Sequence, residues 1–561
     1  MEQTPSVRGR GMIGRWQPSQ EMLALLASLF FSVTANSTFF HVAAATGAFK
    51  GAAGIGLAAS LFIAITALHA FLLLLLFNRW TTKPVLILLL LVTAAAAHFM
   101  RAYTIYLDPD MIRNILHTDR KESRELMSLA LLPSLFAFGV LPSLLVWRMR
   151  IRERTLARAT GIRVAWLLAS VLVAALAIFA SFQATSSLMR NHRELRYLVA
   201  PGNYLVSLGR VLTDGGNVPA KAKQPVGLHA TIAPRARDSK PRLLVIVVGE
   251  TVRAQNWGLN GYARQTTPQL AGVADLVNFG DVTACGSSTE VSLPCMFSPY
   301  GRHDYDAKRI KGSQSLLNVL DHAGIGVLWR DNQSGCKGVC DGLPFQSFQN
   351  TTQAKACSDE GCLDDVMLDG LEAEVAKHAG DQVIVLHQLG NHGPAYFKRY
   401  PPSLAKFQPE CRSMELRDCS AQQIVNAYDN AILHTDAFLA EAIAMLAKMD
   451  DRDTALLYVS DHGESLGEDG LFLHGVPYAI APKTQLKVPM VMWFSPGMRT
   501  DRGIDLACVR QAATRPASHD NLFHSVLGLM QVRTEEYRAD LDLLKPCESA
   551  TAAAYGAAEA H

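Results

Sequence analysis

The chain has 561 residues, with 53 Lys and Arg against 50 Asp and Glu and a net charge of +3. That length is too great for one hydrophobic core, so two or more domains are expected. The charge balance argues neither for nor against a nucleic acid partner. The apolar residues are unevenly spread: before residue 185 they run in long stretches almost free of charge, and after residue 240 the composition is that of a soluble domain.

Five stretches reach the roughly 20 apolar residues that a helix needs to cross a bilayer: Met22–Val42, Ile55–Phe77, Val85–Tyr106, Leu126–Trp147 and Val164–Phe182. The first is too long, and too quickly followed by another, to be a cleaved signal peptide. Arg8, Arg10 and Arg15 precede it, Arg79 and Lys83 join the second and third, and a run from Arg148 to Arg163 joins the fourth and fifth. Cytoplasmic loops carry the basic residues, so the N-terminus is expected in the cytoplasm and everything after Phe182 on the opposite side. Residues 107–125 would lie on that exported side, with a helix beginning near Asp108-Pro109-Asp110.

Residues 184–240 read as an interfacial helix and linker between a transmembrane domain (residues 1–183) and a catalytic domain (residues 241–548). The first part, to Leu212, mixes Leu and Tyr with Arg and suits a membrane surface. The second carries Pro219, Pro225, Pro234 and Pro241 and reads as extended chain. The alanine-rich tail, residues 549–561, is expected to be disordered. All ten cysteines fall after residue 284. In an oxidising compartment they predict disulfides between near neighbours: Cys285–Cys295, Cys336–Cys340, Cys357–Cys362 and Cys411–Cys419, leaving Cys508–Cys547.

From Leu243 onward, strand-like runs alternate with helical patterns, which predicts an α/β domain. Arg242–Val248, Val383–His387 and Thr454–Ser460 are short apolar runs of the kind that form buried parallel strands. The first ends in Gly249-Glu250-Thr251 and the third in Asp461-His462-Gly463-Glu464. Ligands gather beyond the carboxyl ends of strands in such sheets, so Glu250, Asp461 and His462 are expected to meet there. Two carboxylates and an imidazole suit a catalytic zinc site, which keeps three protein ligands and one open position.

The segment Cys285-Gly286-Ser287-Ser288-Thr289 leads into a helical pattern, and the N-terminus of a helix favours phosphate. Thr289 there is either a helix cap or a nucleophile activated by the metal; this segment alone leaves both open. His392, in Asn391-His392-Gly393-Pro394, and His474, in Leu473-His474-Gly475, suit a second metal, a phosphate oxygen or a leaving-group proton. Glu464 could orient a histidine, and Lys337 offers a cation to phosphate. His378, His519 and His524 have no companion ligands nearby and read as structural.

These motifs carry a resemblance. Val-Gly-Glu-Thr-Val-Arg at 248–253, Cys-Gly-Ser-Ser-Thr at 285–289, Leu-Pro-Cys-Met-Phe-Ser at 293–298 and Trp-Arg-Asp-Asn at 329–332 are similar to the lipid A phosphoethanolamine transferases. So are Cys-Lys-Gly-Val-Cys at 336–340, Asn-His-Gly-Pro at 391–394, Ser-Asp-His-Gly-Glu-Ser-Leu-Gly-Glu at 460–468 and Leu-His-Gly at 473–475. The resemblance covers nearly the whole chain and extends to the enzymes of colistin resistance. It implies five membrane helices and an alkaline phosphatase- or sulfatase-like domain with a mostly parallel central sheet, held in the periplasm at the bacterial inner membrane. It implies a monomer with zinc, one ion or more, on Glu250, Asp461, His462 and Thr289. It implies that Thr289 takes phosphoethanolamine from phosphatidylethanolamine and passes it to a lipid A phosphate, with His392, His474 and Lys337 holding a second metal or the substrate phosphate. Surface negative charge and polymyxin binding would fall. Glu290 stands where some members have a small or aromatic residue. Rival readings are the same transfer to a core sugar or other surface glycan, and a membrane-tethered phosphatase or sulfatase.

Overall fold

The computed structural model describes residues 17–118, 123, 126, 127, 129–215, 223–235, 239–349, 351, 356–358 and 361–549. All but Ser549 of the expected disordered tail lies outside these residues. The chain divides into two compact units, Met1–Arg113 with Met127–Gly216, and Asn114–Leu126 with Asn217–His561.

Among the described residues of the first unit, four helices are long and apolar enough to cross a membrane: Gly51–Leu76, Thr82–Tyr103, Leu131–Arg148 and Leu156–Ala180. The expected first span is not one straight helix. Gln20–Thr34 and Ser37–Ala45 meet at 45°, so the described residues give four spans, or five if this bent pair crosses as one. One side chain at the joint meets the break. Asn36 at the joint is buried, and its amide donates to the Phe31 carbonyl (2.9 Å) and the Ala200 carbonyl (2.8 Å). The Ala200 N–H returns a bond of 2.9 Å to the Asn36 side-chain oxygen. A side chain that satisfies backbone groups freed by a kink lets a helix break inside an apolar layer. The segment expected to lie on the membrane surface folds into helices Phe182–Asn191 and Gly202–Gly215 with a 3₁₀ turn at Arg193–Leu198. Leu188, Leu195 and Leu198 are buried there.

The second unit is built on an eight-stranded sheet. In chain order the strands are β1 (Arg242–Gly249), β2 (Val277–Thr283), β3 (Gly326–Asp331), β4 (Phe345–Ser347), β5 (Gln382–His387), β6 (Asp453–Ser460), β7 (Lys487–Phe494) and β8 (Ala517–Ser518). Their spatial order is β8-β2-β7-β6-β1-β5-β3-β4. Five pairings are parallel, while β7 runs antiparallel to both its neighbours, so the sheet is mixed. Every residue of β1, β5 and β6 is buried, as central strands covered on both faces require. Their register decides where the site forms. Val248 lies opposite His387, and Gly249 opposite Ser460. Glu250, Gln388 and Asp461 are therefore the first residues past three adjacent parallel strands, at one edge. Part of the segment expected to be extended chain is tied down, since Thr231–Ile232 pairs antiparallel with Val532–Arg533.

All five expected disulfides are present: Cys285–Cys295, Cys336–Cys340, Cys357–Cys362, Cys411–Cys419 and Cys508–Cys547. Their loops differ in size, from a separation of 4 for Cys336–Cys340 to 39 for Cys508–Cys547. In the chain-entropy account the longer loop stabilises by about 4 kcal/mol and the shorter by about 2 kcal/mol. Replacing Cys508 and Cys547 together by Ser should therefore cost about 2 kcal/mol more than replacing Cys336 and Cys340. Denaturant unfolding of the two double variants checks this, and the reverse ranking would refute it.

Candidate active site

Glu250, Asp461 and His462 are fully buried. Each offers a ligand atom within 4.8 Å of the others, the one such group among the described residues. The backbone holds them there. The Asp461 N–H donates to the Gly249 carbonyl (2.8 Å), which locks the end of β6 to the end of β1. The Asn391 N–H donates to the Glu250 carbonyl (2.9 Å), bringing the loop after β5 against the same point. Gly390 in that loop has φ +49°, and a Cβ would lie 2.8 Å from the Glu250 carbonyl oxygen. Only glycine fits both the conformation and the approach.

Thr289 is the first residue of the helix Thr289–Met296, and Ser288 before it is extended with no side-chain cap. The Thr289 hydroxyl is not used as a cap. It donates to the Glu250 carboxylate, at 3.0 Å to Oε2 and 3.3 Å to Oε1, and lies 3.3 Å from His462 Nε2. His462 Nε2 also lies 3.4 Å from both Glu250 Oε1 and Asp461 Oδ2. Its other nitrogen, Nδ1, is 2.9 Å from the Gly463 carbonyl and donates to it. That bond leaves the Nε2 lone pair facing Thr289 and the carboxylates when the ring is neutral.

The donor set fits a divalent cation. Asp461 Oδ1 accepts the Thr251 and His462 N–H groups, but Oδ2 is buried with no hydrogen-bond partner. A buried carboxylate oxygen without a partner is costly. The charges point the same way. Burial, with the charge of Glu250 adding to it, raises the Asp461 carboxyl to about 6. Burial lowers the His462 imidazole, but the charges of Asp461 and Glu250 more than reverse this and lift it to about 10. Burial raises Glu250 in turn, and the bond and charge of His462 outweigh it to hold this carboxyl low. The cluster thus gathers positive charge, as a proton on His462 or as a metal ion that displaces that proton.

The other sequence-predicted residues surround this centre. His474 lies against His462, with ring centroids 4.4 Å apart, and His392 is 5.8 Å from His474. Glu464 is the residue that orients His474: its Oε1 is 3.2 Å from Nδ1, while its Oε2 accepts the Tyr396 hydroxyl (3.1 Å). Lys337 is one step removed. Its ammonium donates to Ser334 Oγ (2.7 Å), and Ser334 N–H bonds to the Gln333 side chain. His519, read as structural, accepts the Cys285 N–H at Nδ1 (3.1 Å) and donates from Nε2 to the Ser460 carbonyl (3.0 Å). It joins the segment that carries Thr289 to the end of β6. Ser287 joins the same segment to the His474 loop, donating to the Val476 carbonyl (2.6 Å) and accepting the Gly475 N–H (2.7 Å).

Two contacts were not foreseen. Gln333 is buried and its amide donates to Glu250 Oε2 (2.9 Å), so it fixes the rotamer of a candidate ligand. Its signal was slight: it directly follows the Trp-Arg-Asp-Asn motif at the end of β3. Glu290, beside Thr289, accepts from Lys311 Nζ (2.6 Å) and lies 3.2 Å from His117 Nδ1. Burial raises its carboxyl, but Lys311 and His117 outweigh burial and keep it below the ordinary value.

The family described as Sulfatase matches residues 242–532, and the one described as Phosphoethanolamine transferase EptA/EptB matches residues 65–215. Phosphoethanolamine transferase EptA of Escherichia coli K12 is 38% identical, over 95% of this chain and 98% of its own. The chain belongs to the phosphoethanolamine transferase family. Phosphatidylethanolamine transferase Mcr-1 of Escherichia coli is 39% identical over 92% of this chain and 96% of its own. The integral membrane lipooligosaccharide phosphoethanolamine transferase A of Neisseria meningitidis is 35% identical in sequence. That structure superposes with a TM-score of 0.91 and covers 95% of this chain and 100% of its own.

Partners that orient a metal ligand typically carry a tenfold or greater share of affinity. Gln333→Ala should therefore weaken zinc binding by about tenfold, as read by competition with a fluorescent chelator. Unchanged affinity would remove Gln333 from this role.

Proposed function

We propose that the protein transfers phosphoethanolamine from phosphatidylethanolamine to a lipid A phosphate through a covalent phosphothreonine at Thr289. The observation that carries this reading is the Thr289 hydroxyl, at the first turn of a helix, 3.0 Å from Glu250 and 3.3 Å from His462. In this reading Glu250, Asp461, His462 and the Thr289 oxygen hold zinc. When bound there, zinc supplies a lowered pKa for the threonine oxygen and a positive charge opposite the phosphoryl oxygens.

The residues of the chain do the rest. Thr289 Oγ1 forms a bond to the donor phosphorus, and the bond from phosphorus to diacylglycerol breaks. The hydroxyl proton has the Glu250 carboxylate as its acceptor. Glu464 holds His474 by Nδ1, which leaves Nε2 to protonate the departing diacylglycerol oxygen. An oxygen of the acceptor phosphate then forms a bond to the same phosphorus, the bond to Thr289 breaks, Thr289 regains its proton from Glu250, and the proton of the acceptor phosphate returns to His474. His392 and Lys337 offer nitrogen donors to the phosphate oxygens. Division into two displacements suits a site that takes its two lipid substrates in turn.

The setting follows from this chemistry. The bent pair Gln20–Thr34 and Ser37–Ala45 counts as one crossing in this reading, giving five spans with the N-terminus in the cytoplasm. Residues 1–183 anchor the enzyme in the bacterial inner membrane, residues 184–240 connect, and residues 241–548 form a periplasmic catalytic domain. The enzyme works as a monomer. Added ethanolamine lowers the negative charge of the cell surface and with it the binding of polymyxins.

The test is a half-reaction. Incubating the full-length protein with phosphatidylethanolamine and no acceptor should release diacylglycerol and add phosphoethanolamine to the peptide containing Thr289, as read by mass spectrometry. Thr289→Ala should do neither, and a chelator should stop both until zinc is returned. Diacylglycerol release with Thr289 unmodified, or full turnover by metal-free protein, would overturn the mechanism.

A further inference from the structure

The loop that follows His474 is apolar and open. Pro477-Tyr478-Ala479-Ile480-Ala481-Pro482 carries no charge, and none of these residues is buried. Tyr478–Ile480 forms a 3₁₀ turn, with Ile480 36% exposed. Two cations flank the loop. The Arg302 guanidinium lies over the Tyr478 ring, 3.6 Å from its centroid, and 4.6 Å from that of Tyr305. It makes one hydrogen bond, at 3.4 Å to the Cys285 carbonyl. Lys483, the residue after Pro482, is exposed. Among the described residues neither cation makes an ion pair. Asp520, whose carboxylate accepts the backbone N–H of Arg302, is paired with the His303 ring at 3.1 Å. An arginine stacked on tyrosine keeps its N–H edge for a phosphate.

An apolar tip between unpaired cations matches a surface that is anionic outside and apolar beneath. A phospholipid bilayer has that profile: tyrosine and arginine settle at the level of the headgroups, and aliphatic side chains go below it. A soluble phosphate would need the cations but not Ile480. A folded apolar partner would need Ile480 but not the cations. The place of the loop adds a second reason. It begins three residues after His474, and Ser287 ties Gly475 and Val476 to the segment that carries Thr289. The bond from Arg302 to Cys285 ties the other flank to the same segment. In the proposed reaction the phosphorus under attack lies at headgroup depth, so Thr289 must reach that depth, and a loop fastened beside it meets the interface.

We propose that the loop Pro477–Pro482, with Arg302 and Lys483, docks the catalytic unit on the phospholipid bilayer and so presents Thr289 to lipid headgroups. Ile480 enters the apolar layer, while Arg302 and Lys483 take headgroup phosphates. This rests on the transfer reaction proposed above.

The experiment compares two forms of one donor with the full-length protein in nanodiscs. In discs of phosphatidylethanolamine and phosphatidylglycerol, Ile480→Asn and Arg302→Gln should each form phosphothreonine about fivefold more slowly than the wild type, from loss of one buried aliphatic side chain or one phosphate contact. In discs of phosphatidylglycerol alone, with a short-chain phosphatidylethanolamine added as monomer, both variants should match the wild type. Ile480 is exposed, so its variant tests the surface even where Arg302→Gln disturbs the Cys285 carbonyl. A readout independent of the reaction is Ile480→Trp, whose added fluorescence should be quenched by phospholipids brominated on their acyl chains. A wild-type rate for Ile480→Asn on the bilayer donor, an equal loss by Ile480→Asn on both donors, or unquenched fluorescence would each overturn the proposal. The second would make the loop a support for His474. Absence of phosphothreonine in the wild type, with the quenching intact, would instead refute the transfer mechanism and not the docking.

Discussion

Two carboxylates with no exposed surface, Glu250 and Asp461, stand at the ends of neighbouring parallel strands, and the site is organised around their negative charge. Buried charge is tolerated only when it is compensated. His462 is drawn up to about 10 by these two carboxylates against the effect of its own burial. The same demand suits a divalent cation. It also bears on the position of Thr289: its hydroxyl shares Glu250 with the imidazole.

Such a cluster needs rigid support, because charges that relax apart lose their mutual tuning. The support comes from the sheet and from loops tied across it. β1 and β6 are in register from Arg242 opposite Asp453 to Gly249 opposite Ser460. Asp364 accepts the N–H groups of Leu389 (2.8 Å) and Gly390 (2.9 Å), which holds the loop that carries His392. His519 does the same for the segment that carries Thr289, and burial lowers its imidazole to about 4, so it stays neutral and can accept and donate at once. Its value is structural although it lies close to the metal-ligand candidates.

The fold also bears on the economy of the reaction. A membrane anchor confines the enzyme to the surface where lipid substrates are found, which raises their effective concentration at the site. The disulfides brace the loops around the sheet. Cys285–Cys295 spans the segment that carries Thr289, and Cys336–Cys340 closes the turn that carries Lys337. In an oxidising compartment these bonds hold the segments that secondary structure leaves unsupported.

Much of this was legible in the sequence, for a local reason. Arg242–Val248, Val383–His387 and Thr454–Ser460 announce buried strands because each must present apolar residues to both faces. Strand ends are where polar residues can return, so Glu250, Asp461 and His462 stood out. Near-neighbour cysteines paired as expected because short loops close readily. What sequence could not decide were contacts between residues far apart. The antiparallel direction of β7 depends on its neighbours, since its apolar composition fits either direction. Asn36 breaks an apolar helix because Ala200, 164 positions away, meets its side chain. Gln333 reaches Glu250 across 83 positions, and Glu290 reaches His117 across 173. Hydropathy and spacing report what a residue needs from its surroundings, burial or a polar partner. Which partner supplies it is settled only when the strands take their register and the loops close over them.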